Sequence, residues 1–404
     1  MSVYEATHII SSKALSEFED FPMPSDYPDF PSHRQVLAYF ESYAEHFGLR
    51  PYIKLKTRVI QASLAADGKW LVQVEGPDGP VEERFDYIMV AAGHHREPSV
   101  PSYPGRFTGQ SLHSCAYRRA DPFRGKEVLV VGAGNSACDI AVDISRVARR
   151  TCISMRRPSY IAPKLIWGYP IDVFCTSFRF LPKPIVPALL RFLLRVHIGP
   201  YERYGLQAPT GNALSMHPTL NTGILEALRH GRVLPRIGID RFGGENVHFN
   251  DGQSERFDAI VFATGFRTSF PFLPASVIDW DTERRPPLYL KMMHRSLPSI
   301  FFIGLFQPLG CIWTLADYQA RIAVAQITGK LKRPHDLETR IAHEISSTHW
   351  QFDDAPRHAI EVDFHDFRHE LLSELARSNR NLHRHHSHFA NWLANRSPIL
   401  QTAI

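Results

Sequence analysis

Residues 127–139, EVLVVGAGNSACD, constrain this 404-residue chain more than any other stretch. Residues 128–132 are apolar on both faces of an extended backbone, which predicts a strand buried inside a parallel sheet. The strand runs into Gly132-x-Gly134-x-x-Ala137, and a helical pattern follows through DIAVDISRVARR. Gly132 permits a tight turn, Gly134 lets the backbone approach a pyrophosphate, and Ala137 is small enough for close helix–strand packing. Free N–H groups and the helix dipole favour phosphate at such a helix start. The glycine pattern alone also suits a purely structural turn. A strand before it and a helix after it favour a dinucleotide site.

The next strand, TCISM (151–155), ends in Arg156 and Arg157, the first of them 24 positions beyond Gly132. A site selective for NAD puts a carboxylate there, on the ribose 2′-hydroxyl. Two guanidinium groups instead suit the 2′-phosphate of NADP, with permanent charge and bidentate geometry. A solvated basic strand end is the alternative reading of the pair.

Composition sets outer bounds. A hydrophobic content of 44% and a charged content of 22% are those of an ordinary globular protein, with length for two or three domains. The net charge of +5 is scattered along the chain, so it fits an anionic dinucleotide and requires no nucleic acid. The cysteines at 115, 138, 152, 175 and 311 form no CxxC, which predicts reduced thiols in a cytoplasmic setting. The first residues hold no apolar leader core, and no apolar run reaches transmembrane length.

Along the chain, SVYEATHIISSK has strand character and FEDFPMPSDYPDFP reads as an aromatic loop. Residues 32–48 predict an amphipathic helix, with Ser32 as N-cap, Gly48 just past its end, and Val36, Tyr39, Phe40, Tyr43 and Phe47 on one face. Three strands are predicted at 57–64, 69–75 and 82–91, the first two joined by a turn at Asp67-Gly68. FDYIMVAAG and FDAIVFATGF (257–266) both lead a strand into small residues, the pattern of two nucleotide domains whose connections cross. Residues 160–235 interrupt the second domain. Within them IVPALLRFLLRVHI (185–198) predicts a helix, either packed over a site mouth or facing a partner or membrane surface. SIFFIGL (299–305) predicts the last strand, followed by a helix carrying Asp317, Gln319 and Arg321. The tail HRHHSH (383–388) reads as solvated and basic, and no metal site is expected there or elsewhere.

Taken in order, these landmarks resemble the flavin-containing monooxygenases over residues 2–330. That family's fingerprint stands here as Phe107, Gly109, His113 and Tyr117. Tyr117-Arg118 replaces the Trp-Pro or Trp-Asp of the related Baeyer–Villiger enzymes, which leans toward heteroatom oxidation. GAGNSACDIA looks like the family's NADP loop, implying contacts from Gly132, Gly134, Asn135, Ser136, Ala137 and Asp139, with Arg156 and Arg157. By the same resemblance FAD is met by Ser11, Ser12, Val59, Gln307, Gln319 and Arg321. No catalytic side chain is assigned. Ile10 stands where many relatives carry a hydrogen-bonding Asn.

The resemblance implies an α/β fold of two Rossmann-like dinucleotide-binding domains, with the FAD domain discontinuous and N-terminally truncated relative to its GxGxxG unit. The expected domains are an incomplete FAD-binding part (1–120), an NADP-binding domain (121–265) with its insertion at 160–235, a return to the FAD domain (266–332), and a helical tail (333–404). The implied activity is an FAD- and NADPH-dependent oxygenation of a soft nitrogen or sulfur nucleophile through a C4a-hydroperoxyflavin. The alternatives are a non-catalytic NADP-binding scaffold and an NADPH oxidase or flavin reductase remnant. The partners implied are a small-molecule substrate and O2, with a homodimer as an allowed assembly.

Overall fold

The computed structural model describes residues 3–178, 181–182, 185–209, 218–280, 285–346 and 359–377. They group into two compact units, each assembled from separate chain segments. One takes the described residues of Met1–Ser12, Tyr27–Val36 and Glu97–Arg267; the other takes those of Lys13–Asp26, Leu37–Arg96 and Thr268–Ile404. The tail segment HRHHSH lies outside the described residues.

The first unit is built on a five-stranded sheet. Its order is Val233–Arg236, Arg150–Ser154, Glu127–Val131, Ala259–Phe262 and Gln110–His113. Every pair in it is parallel. Because successive side chains alternate between sheet faces, Val128 and Val130 join one core with Ile140 and Ile144 of the helix Asn135–Ile144 and Ile224 of the helix Thr222–Arg229. Leu129 and Val131 join another, with Val247, Phe249 and Phe257 of the antiparallel sheet Ile239–Gly243, Asn246–Phe249 and Ser254–Arg256 and its exit. Burial on both faces is the reason residues 128–131 are all apolar. Each such side chain contributes about 1.5–3 kcal/mol. Charge pairs link three strands of this sheet to the antiparallel one, with Arg150 paired to Glu127 at 2.8 Å and to Glu255, and Arg236 to Glu255 at 2.6 Å.

The compact unit that holds the sheet resumes at Glu97. The strand Gln110–His113 hydrogen-bonds in parallel to Ala259–Phe262 and completes the five-stranded sheet. The N-terminal segment is not a strand. Among its described residues a bridge joins His8 to Ser32, Glu5 N–H donates to the Arg118 carbonyl at 2.8 Å, and Lys13 opens a short helix. The helix Ile185–Ile198 forms as expected but buries only Leu194, leaving Phe192 63% and Val196 59% exposed.

The second unit holds an antiparallel sheet, Arg58–Leu64, Trp70–Gly76 and Gly79–Phe85, and a four-stranded sheet in the order Leu288–Tyr289, Met293–His294, Ile300–Phe302 and Ile88–Val90. The expected strand 82–91 is thus two strands in different sheets. Gly79, at φ +101, starts a hairpin that pairs through Phe85 with Trp70, and Asp86-Tyr87 breaks the chain before Ile88 pairs with Ile300. The helix expected at 32–48 spans His33–His46, and Ser32 with Gln35 forms a capping box at 2.9 and 3.4 Å. Among the described residues beyond 332, the helix Phe364–Ala376 packs into the second unit. Phe367, Leu371 and Leu375 of the helix Phe364–Ala376 share a core with Leu315 and Ile322 of the helix Ile312–Ile327. Among the described residues no helix is long and apolar enough to cross a membrane.

Candidate dinucleotide and flavin sites

The parallel register sets Val131, Ser154, Phe262 and His113 side by side at the carboxyl edge of the first sheet. Open α/β sheets bind ligands at this edge. Gly132 leaves the central strand at φ +138, and a Cβ there would collide with the Ala263 carbonyl and stand 3.3 Å from the Ala137 Cβ. The first glycine and the alanine in third place therefore serve one close approach between the turn, its helix and the ATG exit of the neighbouring strand.

Gly134 behaves differently. Its backbone is extended at φ −82, ψ 178, and a Cβ would meet nothing within 4 Å. It caps the helix without any side-chain bond, and the first helical hydrogen bond is Cys138 N–H to the Gly134 carbonyl at 3.1 Å. The N–H groups of Asn135, Ser136 and Ala137 consequently have no acceptor within the helix. Arg156 and Arg157 are exposed just beyond the adjacent strand, and among the described residues neither forms an ion pair. A helix start with free donors and two uncommitted guanidinium groups fits a phosphorylated dinucleotide.

Asn135 and Asp139 act beneath that surface. Segment 219–221 crosses the glycine turn: the Thr219 hydroxyl donates to the Ala133 carbonyl at 2.7 Å, Leu220 N–H to Asn135 Oδ1 at 2.8 Å, and Asn221 Nδ2 to Asp139 Oδ1 at 2.6 Å. Tyr4 donates to Asp139 Oδ2 at 2.9 Å. Burial pushes the Asp139 carboxyl up, opposed by Tyr4, the Lys164 charge and Asn221. Lys164 is itself pushed down by burial while its Nζ donates to the Ile9 carbonyl at 3.2 Å. Tyr4, Lys164 and Asn221 were missed in the sequence. They lie far from the glycine turn in number, and TLN (219–221) carries no motif.

The fingerprint residues hold the sheet's border. A Cβ on Gly109 would stand 2.7 Å from the Asp258 carbonyl, which accepts from Gln110 N–H at 3.0 Å. Phe107 bridges to Gly244. His113 Nδ1 accepts from Cys115 N–H at 3.2 Å and its ring meets Phe266 edge-on at 5.1 Å. Tyr117 is fully buried, donates to Asp143 at 2.6 Å and packs against Tyr4 and Phe123.

The flavin candidates divide between the units. In the first, Ser12 N–H donates to Asp172 Oδ2 at 2.6 Å, and its buried hydroxyl has no partner among the described residues. Ser11 is buried beside it, and Ile10 is half-buried. In the second, Val59 is 38% exposed at a register shift in its strand. Gln307 Oε1 accepts from His94 Nε2 at 2.9 Å. Gln319 is fully buried, with Oε1 accepting from Gly304 N–H and Nε2 donating to the Leu290 carbonyl, both at 2.8 Å. Arg321 pairs with Asp317 at 2.8 Å and Asp20 at 3.5 Å. Within the second unit the Gln307 amide presents its NH2 group toward a polar ligand, whereas the Gln319 amide is occupied by backbone.

Sheet order, glycine turn and uncommitted arginines define a protein of the dinucleotide-binding α/β class. The family description "Flavin-binding monooxygenase-like" matches residues 1–383. Flavin-containing monooxygenase 5 of Homo sapiens is 36% identical over 391 residues, covering 92% of this chain and 72% of the relative. Dimethylaniline monooxygenase [N-oxide-forming] 2 of Rattus norvegicus is 33% identical, with 93% and 73% covered. Among solved structures, S-allyl-L-cysteine S-oxygenase from Allium sativum superposes with a TM-score of 0.67 at 23% identity, covering 93% of this chain and 74% of that one. Cyclohexanone monooxygenase from Rhodococcus sp. Phi1, bound to NADP+, gives 0.71 at 17% identity, with 93% and 89% covered. The chain belongs to the flavin-containing monooxygenase family. It is an enzyme of the flavin-dependent monooxygenase class, whose cofactors are FAD and NADP.

Proposed function

We propose that this chain oxygenates a soft nitrogen or sulfur nucleophile, drawing electrons from NADPH rather than NADH. The observation that carries the reading is the pairing of an unobstructed Gly134 helix start with exposed, unpaired Arg156 and Arg157 at the end of the adjacent strand. In this reading the Asn135, Ser136 and Ala137 N–H groups bind the pyrophosphate, and the two arginines hold the 2′-phosphate. Bound FAD supplies the oxygen-activating chemistry, and the protein's share is to orient it and to exclude water. Tyr117-Arg118 at the end of the fingerprint, and the amine- and thioether-oxygenating names among the similar proteins, support a heteroatom substrate.

The test is turnover with a tertiary amine and with a thioether, measuring N-oxide or sulfoxide against NADPH consumed and peroxide released. Product matching NADPH supports the reading. NADPH consumed with only peroxide released would point to an oxidase, the outcome that Ile10, which offers no hydrogen bond, favours. Oxygen insertion into a ketone alone would replace the heteroatom assignment.

A further inference from the structure

Two strand exits in the second unit converge at one edge. The strand Ile88–Val90 runs parallel to Ile300–Phe302, with Val90 opposite Phe302. The first leaves through Gly93, at φ +69, into His94; the second leaves through Gly304, at φ +73, toward Gln307. Both turns therefore end at the carboxyl edge of the same parallel pair. There His94 Nε2 and Gln307 Oε1 stand 2.9 Å apart.

That contact sets both side chains. An amide oxygen only accepts, so the imidazole carries its proton on Nε2. His94 is 8% exposed, and its Nδ1 is buried without a partner among the described residues. A second proton would therefore place an unpaired charge in a buried position. Gln307 N–H donates to the Ile360 carbonyl at 2.7 Å, which fixes its backbone. With Oε1 taken, the Gln307 amide cannot turn over, and its NH2 group is left half-buried with no acceptor among the described residues.

We propose that His94 is a positioning residue that locks the Gln307 amide so that its NH2 group donates to an acceptor on the bound flavin. This rests on the flavin reading of the site and adds a residue to it. Without His94 the amide turns freely, presenting oxygen as often as nitrogen, and the acceptor loses its fixed donor.

The test uses the full chain and FAD as the probe. His94→Leu should raise the FAD dissociation constant about tenfold, the scale of one lost oriented hydrogen bond. His94→Gln, whose Nε2 can donate from nearly the same place, should restore most of the affinity. Gln307→Ala should weaken binding in the native background and add nothing in His94→Leu. Nitrogen NMR of the flavin-free chain should show His94 as the neutral Nε2–H tautomer at pH 7. Native affinity in His94→Leu, no rescue by His94→Gln, or a charged or Nδ1–H imidazole would overturn the inference while leaving the flavin reading intact. A native chain that binds no FAD would overturn that reading and the inference with it.

Discussion

Asn221 joins two elements with one side chain: its Nδ2 donates to Asp139 Oδ1 at 2.6 Å, and its Oδ1 accepts from Ile224 N–H at 2.8 Å as the N-cap of the next helix. Asp139 takes a second bond from Tyr4. The start of the chain, the nucleotide helix and the end of the insertion are thereby fastened at one carboxylate. Asn221→Ala removes a cap and leaves Asp139 Oδ1 unpaired in a buried place. A loss of about 2–4 kcal/mol is expected from the two effects together, read as a lower midpoint in urea.

Asp139 also predicts a pH dependence. Burial holds its carboxyl above the usual range, so the folded chain binds this proton more tightly than the unfolded one. The resulting stabilisation is present in acid and is lost as pH rises from about 4 through the raised value. Asp139→Asn should remove that decline, although the amide satisfies one donor fewer and lowers stability overall. Unfolding measured across acid pH checks this; a variant and native chain with parallel profiles would show that Asp139 does not titrate this way.

The two glycines of the turn should separate folding from binding. Gly134→Val is expected to fold, since φ is −82 and a Cβ meets nothing, yet to lose dinucleotide binding because the side chain fills the space before the helix. Gly132→Ala is expected to fail at folding, from φ +138 and collision with the Ala263 carbonyl. NADPH titration beside circular dichroism tells them apart. Tight NADPH binding by Gly134→Val would displace the ligand from this helix.

Arg156→Ala should raise KM for NADPH at least about tenfold while leaving NADH nearly unchanged, since a charge-assisted bond to phosphate is worth about 1.5–3 kcal/mol. Steady-state rates with both nucleotides decide it. An equal change for the two would place Arg156 away from the 2′-phosphate.

Gln319→Leu should destabilise the second unit by about 2–5 kcal/mol, because the Gly304 N–H and the Leu290 carbonyl both lose their partner in a buried place. A folded fraction that still binds FAD with native affinity is expected. A fully stable variant that has lost FAD would instead make Gln319 a ligand contact.

The amino-acid sequence by itself determined the central strand, the glycine turn and its helix, because their signals are local: an unbroken apolar run, small residues at fixed spacing, and a periodic helix face. It also placed the two arginines, the first 24 positions beyond Gly132, a spacing that is local along the chain. Tertiary structure decided what pairs with what. Gln110–His113 belongs to the nucleotide sheet because it finds Ala259–Phe262, nearly 150 positions on, and residues 82–91 split because each half meets a different partner. It also decided which polar side chains remain free. The Asn135 Oδ1, the Asp139 carboxylate and the Gln319 amide each meet hydrogen-bond partners from segments 4, 219–221, 290 and 304 that are distant in sequence. Such occupation leaves no local trace, since a buried donor or acceptor must be satisfied by whatever group the fold brings within about 3 Å.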